Sequence, residues 1–122
     1  MPSERQIQET FDRIAHDVPG FIAVSLVDLD SGMTLAARSV RSEFDLAAAS
    51  AYNSEMVKQK LKIMKALRLD TSLEDMLITL GDQIHLIKLV ANGSFIYLAA
   101  DRAQANLAIV RNGVHKHLAA FS

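Results

Sequence analysis

Three features of the chain predict an α/β fold of the α+β type: a three-layer sandwich in the order αββαβββα, with a five-stranded antiparallel sheet. Between residues 74 and 100, three short apolar runs are joined by two tight-turn signals. A similar apolar run and turn occupy residues 21–38. Three stretches with helical spacing flank and separate these runs, and prolines stand only at Pro2 and Pro19, ahead of the main body.

The chain has 122 residues, about one domain's worth, and no linker, low-complexity segment or internal repeat divides it. We therefore expect one domain over 1–122, able to bury about two thirds of its unfolded surface. Cysteine is absent, so disulfides and thiolate metal sites are excluded and a reducing compartment, the cytoplasm by default, is expected. Thirteen basic and fourteen acidic residues leave a net charge of −1, which gives no field for non-specific nucleic-acid binding. No run reaches the ~18 apolar residues of a membrane span, and no apolar leader follows Met1, so neither membrane insertion nor export is expected.

Ser3 and Gln6 have capping-box spacing and open a first helix whose Ile7, Phe11, Ile14, Ala15 and Val18 share a face. Pro19 and Gly20 should end it. Residues 21–29 are apolar on both alternating sets: Phe21, Ala23, Ser25 and Val27 on one, Ile22, Val24 and Leu26 on the other. Such a strand is buried on both faces. Asp30, Ser31 and Gly32 turn the chain into a short strand from Met33 to about Arg38.

Residues 44–69, rich in alanine, leucine, methionine and lysine, make a long helix. At ~100° per residue, Met56, Val57, Leu61, Ile63, Met64 and Leu67 fill an arc of roughly 160°, wider than one sheet contact needs. Lys58, Lys62 and Lys65 lie opposite. Strands are expected at 74–80, 83–90 and 94–100, turned by Gly81–Asp82 and by Asn92–Gly93, the strongest two-residue hairpin signal. Asp101 with Gln104 should cap the last helix, in which Ala103, Leu107, Val110, Val114, Leu118 and Phe121 recur at helical spacing. Within the three-strand meander, Ile84, Leu86 and Val90 oppose Ile87 and Leu89, so the sheet must be covered twice. The terminal helices are expected together on one face and the long helix alone on the other.

The ordered set of Ala23 to Asp28 leading into Asp30, Ser31 and Gly32, then Ile84 to Ile87, then Phe95 to Asp101 running on to Asn106 through Arg111 resembles the Roadblock family, which includes dynein light chains and MglB-type proteins. The resemblance covers nearly the whole chain. It implies a sandwich related to profilin and longin domains. It also implies a homodimer or heterodimer pairing the middle helix and the third strand, and a non-enzymatic partner of Ras-like small GTPases or motor complexes. Some bacterial members are implied to stimulate their GTPase without donating a catalytic side chain.

The residues themselves also point to pairing. An edge strand that alternates Met76, Ile78 and Leu80 is an aggregation hazard unless it is covered or paired, with Glu74 and Asp75 as its only guards. With Met56, Ile63 and Leu67 of the middle helix, whose pairing the resemblance implies, these residues form the expected dimer interface, and Lys58, Lys62 and Lys65 the surface for an acidic partner. No catalytic, cofactor or metal site is expected. His115 and His117 are two apart and diverge on a helix, His85 suits a core boundary, and His16 complements a helix C-terminus. Asp28 and Asp30 flank a turn and are expected to shape it. Glycines are scattered at turns, without a phosphate loop, and no serine sits in a nucleophile elbow. The competing function is a small-ligand sensor of profilin-like fold, or a structural subunit of a larger assembly.

Overall fold

The computed structural model describes residues 2–121. Its elements are α1 (Glu4–Asp17), β1 (Phe21–Asp28), β2 (Thr34–Ser39), α2 (Leu46–Ala66), β3 (Asp75–Thr79), β4 (Gln83–Val90), β5 (Ser94–Asp101), α3 (Leu107–His115) and a closing 3-10 turn at Ala119–Phe121. One five-stranded sheet has the order β2-β1-β5-β4-β3, antiparallel throughout. This is the sandwich expected from the sequence.

The capping box forms as spaced: Ser3 accepts from the Gln6 N–H at 3.1 Å, and the Gln6 side chain accepts from the Ser3 N–H at 2.8 Å. It starts α1 in a register that buries Ile7, Phe11 and Ile14. Those side chains join Val24, Leu26, Ile84, Leu86, Ile96 and Leu98 with Val110 and Val114 of α3 in one core. On the other face α2 closes a second core over Ile22, Ala23, Val27, Ile87, Phe95 and Tyr97. The terminal helices thus share a face and α2 stands alone. Central β5 is buried from Ser94 to Ala100 because it has strands on both sides and helices on both faces.

Element ends shift by one to three residues at α2, β2 and β3, and two differences from the sequence expectation go further. Asp101 does not cap the last helix. Its pairing with Gln83 and its N–H bond to the Gly20 carbonyl, 2.7 Å, hold it extended at the end of β5. Its carboxylate accepts from the Ala103 N–H at 2.9 Å in a turn, and Asn106 caps α3 by accepting from Ile109 N–H. Helix α3 is therefore shorter than expected, and Leu118 and Phe121 reach the core from the turn that follows it. The second difference is Phe21. A register shift in β1 between Phe21 and Ala23 exchanges the faces of two residues: Phe21 joins Val24 and Leu26 in the α1–α3 core, and Ile22, expected with them, joins Ala23 and Val27 beneath α2.

Gly113 explains how α3 sits so close to the end of α1. A Cβ there would lie 2.8 Å from Val18 Cγ2, so only glycine fits without displacement.

Candidate functional site

Four polar contacts place α2 over one half of the sheet. Ser50 and Ser25, both fully buried, share a hydrogen bond of 3.0 Å between α2 and β1. Ser54 donates to the Leu29 carbonyl, and Lys58 Nζ donates to the Asp30 carbonyl at 2.7 Å. The buried Tyr97 hydroxyl on β5 bonds the Asn53 side chain. Gly32, at φ 74°, makes the β1–β2 turn that meets the helix, and a Cβ there would lie at ordinary contact distance, 3.4 Å, from Ala51 Cα. The helix consequently packs on β1 and β2, leaving β4 and β3 beside it.

That offset opens a groove. Across the β3–β4 ladder, Met76 pairs with Ile87 and Ile78 with His85, so these side chains share the α2 face. Met76, Ile78, His85 and Leu89 are only half buried there. On the helix, Tyr52, Met56, Ile63 and Leu67 fall within about 60° of one another at 100° per residue. They lie on the Asn53 side, the side that looks across β5 toward β4. Tyr52 and Leu67 are 77% and 64% exposed. At the helix C-terminus, Leu61, Met64, Leu69, Leu73 and Leu89 line a further hollow of about 500 Å³.

The outer side of the groove is the free edge of β3. Leu80 N–H donates to the Gln83 carbonyl and Leu89 N–H to the Glu74 carbonyl. Even-numbered residues of β3 therefore face β4, and Asp75, Leu77 and Thr79 direct their backbone groups outward. Asp75 is not an edge guard. Its carboxylate turns onto α3, 2.8 Å from Arg111 Nε and 3.1 Å from His115 Nε2.

Of the residues expected at an interface, Met56, Met76 and Ile78 are half-buried parts of the groove, Ile63 and Leu67 are its exposed wall, and Leu80 stands exposed one residue past the strand. Of the lysine stripe, Lys58 stands over the β1–β2 turn, whereas Lys65 borders the hollow with Leu69, Leu73 and Leu89. Lys58 is committed to the Asp30 carbonyl and lies 3.5 Å from Glu55, whereas among the described residues Lys62 and Lys65 form no ion pair.

His85 meets Tyr97 edge-on at 5.3 Å, and its Nε2 lies 2.8 Å from Gln83 Oε1. Burial lowers its pKa against the opposing pull of Asp82. Burial also pushes the Tyr97 hydroxyl up to about 12. Both groups are neutral at physiological pH. Asp28 accepts from the Ser31 hydroxyl (2.6 Å) and N–H (3.0 Å), bonds that hold its carboxyl below the ordinary range and give it the turn role expected of it. His115 and His117 are not free helix residues. His117 lies beyond α3, its Nε2 2.5 Å from Asp17 Oδ2, which lowers the Asp17 pKa with help from Lys116. Among the described residues no group of three histidines and carboxylates is placed to hold a metal ion.

The tethering residues Ser25, Ser50, Asn53 and Ser54 were not singled out from sequence. The available signal was the spacing Ser50–Ser54–Val57, which puts two small hydroxyls on the buried stripe of a helix.

No family model matches the chain, and no curated protein sequence does. Solved structures do match in shape. MglB of Myxococcus xanthus superimposes with a TM-score of 0.82 at 16% identity, covering 94% of this chain and 90% of that one. An MglB with a tetrameric arrangement gives 0.81 at 15% identity, over 96% and 85% of the two chains. A Roadblock/LC7 domain from Streptomyces avermitilis gives 0.74 at 11% identity, over 86% and 85%. The chain has the Roadblock fold. No helix of the described residues is long and apolar enough to cross a membrane.

Proposed function

We propose that the chain is a non-enzymatic homodimeric module that docks a Ras-like small GTPase and regulates or scaffolds it. The observation that carries this is the coincidence of an open apolar groove and an unpaired strand edge on one side of the molecule. A two-fold pairing of β3 with its copy satisfies the outward groups of Asp75, Leu77 and Thr79, and the same operation lays the copy's α2 along the groove. Met56, Ile63, Leu67, Met76, Ile78 and Leu80 then cover one another. Both α2 helices lie side by side, with the Lys62 and Lys65 flanks outside, a surface suited to an acidic GTPase face. With no phosphate loop of its own, the module works by holding the GTPase's own groups in place. The MglB solved with a tetrameric arrangement supports self-association for this chain.

Light scattering over a concentration series tests the dimer. Thr79→Pro removes an outward N–H without touching the ladder to β4, and Leu67→Glu charges an exposed side chain. Each should give a folded monomer where the parent chain is a dimer. A parent chain monomeric at tens of micromolar, or a dimer indifferent to both changes, refutes the pairing. With a dimer in hand, a GTPase recovered by pull-down should be lost with Lys62→Glu and Lys65→Glu. If it is retained, the lysine surface is not its dock.

A further inference from the structure

At the opposite end of the sheet, β2 has β1 as its single neighbour. Edge strands are usually guarded by lysine, proline or inward-turned charge. From Met33 to Val40 there is no lysine, proline or acidic residue; the one charge, Arg38, turns onto Asp12 of α1, the one irregularity is at Leu35, and Met33, Leu35 and Val40 are 66%, 49% and 61% exposed. Pairing with β1 skips Leu35, since Ala36 opposes Leu26 while Thr34 opposes Val27. Over Ala36–Ser39 the ladder is regular. Val40 N–H donates to the Ile22 carbonyl, so Val40, Arg38 and Ala36 face β1, and Ala37 and Ser39 direct their N–H and C=O groups away from the sheet.

Cations bracket this edge. Arg38 and Arg41 stand at its C-terminal end, in a cleft of about 710 Å³ shared with Asp12, Asp101, His16, Val40 and Gln104. Arg38 pairs with the largely exposed Asp12, and Arg41 approaches Asp101 only to 3.7 Å, beyond hydrogen-bond reach. At the other end Lys58 closes on the β1–β2 turn. We propose that the β2 edge is a docking site for an extended acidic peptide of a partner protein, added as a sixth strand. Its backbone pairs with Ala37 and Ser39, its carboxylates, on the face of Arg38 and Val40, reach Arg41 and exchange with Asp12 for Arg38, and its apolar side chains project from the other face. A second copy of this chain is a poor occupant, because its β2 carries no acidic residue from Met33 to Val40 to meet these arginines. The site is separate from the β3 groove and does not depend on the dimer.

The probe is a fluorescein-labelled peptide of alternating glutamate and valine, with a lysine–valine counterpart and a version N-methylated on alternate residues. It is titrated into the full chain by anisotropy, and backbone amide shifts locate it. The acidic peptide should bind, shift residues 33–41 and weaken with salt. Ala37→Pro, which removes an outward donor, and the pair Arg38→Gln, Arg41→Gln should each weaken it by about tenfold or more. If Ala37→Pro fails to fold, the N-methylated peptide makes the same test on the unaltered protein and should not bind. No binding at about 1 mM, equal binding of the lysine peptide or of the methylated one, shifts on α2 instead of β2, or a mass doubling that Ala37→Pro abolishes would each overturn the proposal.

Discussion

The Ser25–Ser50 hydrogen bond is the sharpest point at which to test how α2 is positioned. Both hydroxyls are fully buried, and each has the other as its partner. Ser50→Ala leaves the Ser25 hydroxyl on a strand with nothing to bond, a loss of about 1–3 kcal/mol, offset by about 0.5 kcal/mol of helix propensity. Ser25→Ala costs less, about 0.5–1 kcal/mol, because a helical serine can swing its hydroxyl onto the carbonyl four residues back. Removing both strands no polar group, so the double variant should lose no more than about 1 kcal/mol. The singles therefore sum to more than the double, with a coupling of about 1 kcal/mol. Urea unfolding followed by circular dichroism, at one protein concentration so that self-association cancels, measures all four corners of the cycle. Strict additivity, or a double variant as unstable as the two singles summed, would show that this bond does not hold the helix.

Other expectations follow from single contacts. Gly113→Ala should destabilise by about 1–3 kcal/mol, since its Cβ meets Val18 Cγ2 at 2.8 Å, and Val18→Ala added to it should restore part of the loss in thermal melts. Tyr97 stays protonated to about pH 12 in the fold but ionises near 10 once unfolded, so stability falls as pH rises from 10 to 12, by on the order of 2–3 kcal/mol. Tyr97→Phe should remove that alkaline limb. His85 has a folded pKa below its ordinary 6.5, so the unfolded chain takes up its proton first and stability declines as pH falls through 6.5; His85→Gln should flatten that region in pH-dependent urea midpoints. Asp17 and Asp28, both lowered, add a second decline as pH drops below 3.8, which His85→Gln should leave in place.

Element order and layers were legible because their signals are local. Asn92 and Gly93 take φ of 65° and 69°, the left-handed pair a tight hairpin needs, and these residue types announce it. The apolar runs on both sides of β4 likewise required cover on both faces. The start of α3 was not legible. Asp101 and Asn106 are both good caps, and the choice between them is made by the pairing of Asp101 with Gln83, a contact no local window contains. The β1 irregularity that moves Phe21 is set in the same way by register against β5. At the groove, periodicity gave the broad arc of α2 but not its lateral position. That position depends on bonds between residues 25 or more apart, Ser25 to Ser50 and Leu29 to Ser54, and the bond of Lys58 to Asp30 removes one lysine from the stripe that spacing assigned to a partner.

The tethers of α2 explain why the two flanks of the sheet differ. A buried hydroxyl pair contributes on the order of 1 kcal/mol net, little more than a well-packed alanine pair. Its larger effect is positional, since hydroxyls must meet at one distance whereas apolar side chains tolerate sliding. Ser50, Ser54, Asn53 and Lys58 all bond toward β1, β5 or the β1–β2 turn, and none bonds toward β3 or β4. The helix is thus drawn to one side, and the apolar surface of Met76, Ile78, Ile63 and Leu67 is left open. An entirely apolar α2 interface would let the helix settle over the middle of the sheet and bury that surface within one chain. The polar contacts therefore maintain an incomplete core, and an incomplete core beside an unpaired strand is completed by association.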